Sequence, residues 1–127
     1  MKPAWRWTAA AACAVGIFAL SSLPGPDIPR ANIPQIDKAA HLAVYCLFAG
    51  LLWWALTGSR SRWPVTVAVV VAALYGVTDE VHQYFVPGRT MSSFDWLADA
   101  AGACLWAVIA RWRAGRSATP PRQPQAP

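Results

Sequence analysis

Nearly all the acidic groups of this chain and both of its histidines fall in three short stretches: Asp37-Lys38-Ala39-Ala40-His41, Asp79-Glu80-Val81-His82-Gln83, and Arg89 through Ser92 and Asp95 to Asp99. Carboxyl and imidazole groups are the usual general acids and bases, because burial and neighbouring charge bring them toward working pH. The Arg89 guanidinium is always charged and forks onto two oxygens, which suits a carboxylate or a phosphate. Glu80, His41 and Asp95 are therefore the candidates for proton chemistry. Arg89, Lys38, Asp37, Gln83, Ser92 and Asp99 are the candidates for holding a ligand.

Helical spacing sorts these groups onto faces. Asp37, His41 and Tyr45 follow i, i+4, i+8 with Lys38 beside them, a polar stripe about two turns deep. Glu80 and Gln83 are an i, i+3 pair, Asp79 and Gln83 an i, i+4 pair, and Asp79 and His82 again i, i+3. They cannot all point one way, and Glu80 with Gln83 is the preferred inward pair. Ser92, Asp95, Asp99, Gly102 and Trp106 keep the 3, 4, 3, 4 spacing of a single helix face. Asp99 falls more than a turn below the start of that helix, where a carboxylate is costly unless neutral, paired or wetted.

The elements that must position these groups are apolar. The chain has 127 residues, 56% hydrophobic and only 13% charged, with eight Trp; charge is about half of what soluble domains carry. A soluble domain of this size could not hide that much apolar surface. With roughly 20 apolar residues needed per crossing, spans are expected over about 7–23, 38–57, 63–81 and 94–112. The expectation is an all-α, polytopic four-helix transmembrane bundle forming one domain over 1–116, with a disordered, proline-rich polar tail at 117–127. Lys2 and Arg6 before the first span also suit a secretory signal, but no small-x-small cleavage site follows, so that span is read as a retained anchor.

Short positively charged loops stay in the cytoplasm. Lys2, Arg6, Arg60, Arg62, Arg111, Arg113, Arg116 and Arg122 fall at one set of helix ends, against Arg30, Lys38 and Arg89 at the other. Both termini are therefore expected in the cytoplasm with the polar stretches facing outward, which in a bacterium means an inner-membrane protein whose polar site faces the periplasm or outer leaflet. The same bias accounts for a net charge of +5, and nothing in the chain suggests a nucleic-acid partner. Cys13, Cys46 and Cys104 are isolated within spans and supply neither a disulfide framework nor a zinc spacing.

Each group also has a structural role open to it. Ser92-x-x-Asp95 is close to a capping box, and Asp37 suits the N-cap of the second span. Lys38 can snorkel to the headgroups, and His41 can be a satisfied interface histidine. Tyr45 can pack with a polar tip. Arg89 can lock the bundle by pairing with Glu80, Asp95 or Asp99.

The ordered set DKxxHxxxY followed by DExxQxxxPGRxxSxxDxxA(N or D)xxG, here Asp37, Lys38, His41, Tyr45, then Asp79, Glu80, Gln83, Pro87, Gly88, Arg89, Ser92, Asp95, Asp99 and Gly102, resembles the VanZ-like family of small bacterial membrane proteins. The resemblance runs from about Ser21 to Ala110. It departs at Asp99, where many members carry Asn. It implies a setting near the outer leaflet and a link to resistance against the glycopeptide teicoplanin, with no reaction attached.

Three functional classes follow. The first is recognition or processing of an anionic amphipathic cell-wall or lipid intermediate, such as a polyprenyl phosphate. Arg89 and Lys38 would hold the phosphate, and His41 or Glu80 would serve as acid or base. The second is metal dependence, to which Asp37, His41, Asp79, Glu80, His82, Asp95 and Asp99 could contribute. No HExxH-like spacing is present and Lys38 and Arg89 oppose a cation, so neither metal nor cofactor is expected. The third is a non-enzymatic accessory bundle that modulates a partner membrane enzyme or transporter, with Gly50, Gly76 and Gly102 permitting close helix approach.

Overall fold

A computed structural model describes residues 4–27, 35–59 and 61–117. Within them the chain forms α1 (Trp5–Ser21), α2 (Ile36–Thr57), α3 (Pro64–Tyr84) and α4 (Ser93–Ser117), with a 3-10 turn at Gly25–Asp27 after α1. Cross-helix contacts fix the directions. Trp5 meets Trp54 edge to face, ring centroids 4.5 Å apart, and Arg6 Nη1 donates to the Trp54 carbonyl at 3.3 Å, so α1 starts where α2 ends. Trp96 Nε1 donates to the Ala73 carbonyl at 3.1 Å, which lays the first turns of α4 along the second half of α3. Helices α1 and α3 thus run one way and α2 and α4 the other.

Local sequence explains the boundaries. Pro64 opens α3 from the first turn, where its missing N–H costs nothing. The helix runs on to Tyr84, beyond the expected end near 81, because its polar last turns are covered by neighbours. Helix α4 likewise continues through Arg111, Arg113 and Arg116 to Ser117; arginine is a good helix former and its charge suits a helix C-terminus. Three helices, Ile36–Thr57, Pro64–Tyr84 and Ser93–Arg116, are long and apolar enough to cross a membrane. With 17 residues α1 is shorter, about 26 Å at 1.5 Å per residue against a hydrocarbon core of roughly 30 Å. Of the tail expected at 117–127, Ser117 is the last residue of α4 and the remainder lies outside the described residues.

The packing suits lipid. On α3, Val67, Val70, Val71, Leu74, Val77 and Val81 are exposed, while Ala68, Ala72, Gly76, Asp79, Glu80 and Gln83 are buried. Large apolar groups outside and small or polar groups inside is the arrangement of a helix among helices in a bilayer, where lipid removes the reason to bury Val and Leu. The core repeats the pattern. Ala49, Ala68, Ala72 and Ala103 are fully buried around Tyr45 and Phe48.

Helices α2 and α4 make the most extensive contact, and Gly102 sits at its tightest point. A Cβ there would collide with the Leu42 carbonyl oxygen and lie 3.0 Å from the Cys46 nitrogen. At Gly50 a Cβ would lie 3.2 Å from the Trp106 ring, and at Gly16 it would meet nothing within 4 Å. Gly102→Ala is therefore expected to destabilise the bundle by at least roughly 1–3 kcal/mol, read as a lower thermal unfolding temperature in detergent. Gly16→Ala should be neutral or stabilising.

Candidate functional site

The C-terminal ends of α1 and α3 and the N-terminal ends of α2 and α4 meet at one end of the bundle. Asp37, Lys38, His41, Glu80, Gln83, Arg89, Ser92, Asp95 and Asp99 all lie there. At the centre Asp99, fully buried, has Oδ1 at 2.8 Å from Nδ1 of His41. A carboxylate only accepts, so against an ionised Asp99 it is Nδ1 that carries the proton. Gly76 makes room for this group: a Cβ on Gly76 would lie 3.0 Å from Asp99 Oδ2 and 3.1 Å from its Cβ. Oδ2 itself is buried and has no hydrogen-bond partner.

The start of α4 exchanges its capping partners with neighbours. Ser92 is the N-cap, its Oγ accepting the Asp95 N–H at 3.3 Å. In a capping box the carboxylate three residues on would accept the cap residue's own N–H. Here Glu80 of α3 does so instead, its Oε2 accepting from Ser92 N–H at 2.7 Å. Asp95 is thereby released to pair across the bundle with Lys38, whose Nζ also lies 2.7 Å from Asp37 Oδ2. Glu80 is buried, and its second oxygen, Oε1, has no hydrogen-bond partner.

A second network ties α1 to α3. Ser21 Oγ donates to Asp79 Oδ1, and Gln83 Nε2 donates to Asp79 Oδ2 at 3.2 Å and to Ser21 Oγ at 3.3 Å. One turn away, Ser22 Oγ lies 3.0 Å from His82 Nε2, and the His82 ring stacks on Phe18 with centroids 4.4 Å apart. Ser21 is a polar residue of this end that spacing arguments missed. Its signal was a hydroxyl pair, Ser21-Ser22, closing an otherwise apolar helix.

Several sequence expectations change. Asp79 and Glu80 are both buried, because α3 is covered by α1 on one side and α4 on the other. The inward pair is Asp79 with Gln83, and Glu80 turns to Ser92. Asp37 does not cap α2: Gln35 holds the N-cap position in the left-handed region at φ 64°, with no side-chain cap, and Asp37 sits in the first turn, where a carboxylate suits the positive helix end. Arg89 pairs with none of Glu80, Asp95 or Asp99, which are engaged by Ser92, Lys38 and His41. Tyr45 is buried with its hydroxyl unpartnered.

A cavity of about 460 Å³ opens at this end. Ile17 and Leu20 of α1 and Val44 of α2 supply an apolar side; His41, Asp95 and Arg89 supply a polar one. The turn between α3 and α4 closes its edge. Gly88 adopts φ +74°, open only to glycine without strain, and Gly25 N–H donates to the Pro87 carbonyl at 3.0 Å, so the turn after α1 rests on it. Metal ligation, set aside from spacing alone, has a geometric candidate: His41, Glu80 and Asp95 each offer a donor atom, all within 4.8 Å of one another. No helix contributes two of the three, so no local motif could announce them.

The Asp99–His41 bond carries a prediction. Asp99→Asn keeps an acceptor for the His41 N–H and should change stability by under about 1 kcal/mol, whereas Asp99→Ala leaves that donor unsatisfied beside a void and should cost about 1–3 kcal/mol or more. Thermal unfolding in detergent distinguishes the two.

Residues 5–114 match the family described as VanZ/LLP1, a stretch that contains all three polar segments. A fission-yeast protein from Schizosaccharomyces pombe, named Uncharacterized protein C11E3.10, is 30% identical over 77 residues, which make up 61% of this chain and 48% of that protein. The match thus spans about half the length of that relative. No solved structure matches. With the family match covering most of the chain and apolar helices packed small-face inward, the chain is a membrane protein belonging to the VanZ/LLP1 family.

Proposed function

We propose that this protein recognises an anionic, amphipathic lipid intermediate of the cell envelope, such as a polyprenyl-phosphate carrier or a cell-wall precursor. The observation that carries the reading is Arg89. It is half-buried at the edge of the cavity, and among the described residues it has no ion-pair partner. Lys38, by contrast, is shared between Asp37 and Asp95, and so does less to attract an anion. A guanidinium left free beside an apolar wall of Ile17, Leu20 and Val44 offers a phosphate two hydrogen bonds and offers an acyl chain a dry surface.

Charge distribution supports the setting. Arg6, Arg62, Arg111, Arg113 and Arg116 gather at the end opposite the cavity, which under the positive-inside rule supports a bacterial inner-membrane topology with both termini cytoplasmic and the cavity open toward the outer leaflet. In the enzymatic form of this reading His41, Glu80 and Asp95 supply the proton-transfer groups at the polar side, with Asp37, Gln83, Ser92 and Asp99 placing them. A link to teicoplanin resistance fits a protein that handles such intermediates at that face.

Native mass spectrometry of the protein in gentle detergent tests the reading. An anionic lipid should copurify, and Arg89→Ala should lose it; the loss of a charge-assisted contact is worth roughly 1.5–3 kcal/mol. In a host where the protein raises teicoplanin tolerance, Arg89→Ala should abolish the effect at unchanged membrane levels. A protein with no lipid preference and an unaffected Arg89→Ala phenotype would sink this reading in favour of an accessory bundle acting on a partner membrane protein.

A further inference from the structure

We infer that His41, Glu80 and Asp95 form a binding site for one divalent transition-type cation, Zn²⁺ fitting its donors best, with Asp99 as the group that orients His41. The inference does not rest on the lipid reading above. Three helices converge on the site: His41 comes from α2, Glu80 from α3 and Asp95 from α4, with donor atoms within 4.8 Å of one another. Donors around a tetrahedral zinc at about 2.0–2.2 Å lie roughly 3.3 Å apart. Binding therefore draws the donors together by at most about 1.5 Å, the difference between 4.8 Å and roughly 3.3 Å.

Two observations beyond this proximity point to a cation. The first is the His41–Asp99 bond at 2.8 Å. Metal-binding histidines commonly donate their far N–H to a carboxylate, which fixes the ring and turns the other nitrogen's lone pair toward the metal. With Nδ1 engaged, Nε2 of His41 is the free donor. The second is the state of Glu80. Its side chain is 3% exposed; Oε2 holds the Ser92 N–H, and Oε1 is buried with no hydrogen-bond partner. An acceptor-only oxygen left alone in a low-dielectric interior is expensive, and a cation satisfies it.

The charge balance agrees. Among the described side chains this end holds five carboxyl groups, Asp37, Asp79, Glu80, Asp95 and Asp99, against two cations, Lys38 and Arg89. Lys38 occupies Asp95, so it competes with the metal; it already contacts Asp37 at 2.7 Å and has that partner to fall back on. One histidine and two carboxylates leave a fourth coordination position, and His41 and Asp95 both border the 460 Å³ cavity from which a ligand would fill it.

The test uses the full chain, purified in detergent without a polyhistidine tag, stripped with a chelator, and titrated with Zn²⁺ and with Mn²⁺ while bound metal is counted per chain. About one Zn²⁺ per chain is expected. Glu80→Gln and His41→Ala should weaken binding more than about 100-fold, and Asp99→Asn, which still accepts from Nδ1–H, only about tenfold. Lys38→Met, by removing the competing charge, should tighten binding about tenfold. X-ray absorption of the zinc-loaded wild type needs no variant and should show one imidazole with oxygen donors. Absence of stoichiometric metal, a sulfur-containing shell from the cysteines, or affinity unchanged by Glu80→Gln in a monodisperse sample would overturn the inference.

Discussion

A carboxylate buried among apolar helices is the constraint around which this bundle is organised. Asp99 is fully enclosed, and a charge there is tolerated only if donors reach it at hydrogen-bond distance. His41 is the donor, and it reaches Asp99 because α2 and α4 approach closely at Gly102, one turn further along. Gly76 opens the matching space on α3. Three helices are thus set at their separations by one side chain and two missing ones. The small residues that continue each interface, such as Ala49, Ala68, Ala72 and Ala103, extend that close packing away from the site.

The other acids are accommodated by exchange between helices. A helix start needs an acceptor for its first N–H groups and usually takes it from its own first turn. Helix α4 takes its acceptor from Glu80 instead, and Asp95 becomes available to Lys38. Four of the five carboxylates at this end therefore stitch two helices: Glu80 joins α3 to α4, Asp95 joins α4 to α2, Asp99 joins α4 to α2, and Asp79 joins α3 to α1. Glu80 Oε1 and Asp99 Oδ2 nevertheless remain without hydrogen-bond partners, as do the Tyr45 hydroxyl and Trp106 Nε1 deeper in the bundle.

How much of this could be read from the sequence depends on whether the signal lies along one helix or across several. The apolar spans were legible from length and composition, and the 3, 4, 3, 4 spacing of Ser92, Asp95, Asp99, Gly102 and Trp106 described a real inward face. Ser92 as a helix cap was legible for the same reason. Periodicity within a segment says nothing about which neighbour covers which side. Hence Glu80 looked like the partner of Gln83, when Asp79 has that place, and Arg89 looked ready to pair with acids already taken by Lys38, His41 and Ser92. The Ser21-Ser22 pair marks a polar end to an apolar helix, but the partner of Ser21 lies 58 residues away in the chain and local sequence does not name it.

The short first helix gives the site its amphipathic character. Among the described residues α1 packs on α2 and α3 and makes no contact of note with α4, so it lies to one side of the helices that bring the charges together. It is fastened at both ends: by Trp5 and Arg6 on Trp54, and by Ser21 on Asp79 and Gly25 on Pro87. Between those fastenings its contribution to the cavity is Ile17 and Leu20. The apolar side thus comes largely from α1, while His41, Asp79 and Asp95 come from the helices opposite. A molecule filling this space would meet hydrocarbon on one flank and fixed polar groups on the other, a division imposed by where α1 stops.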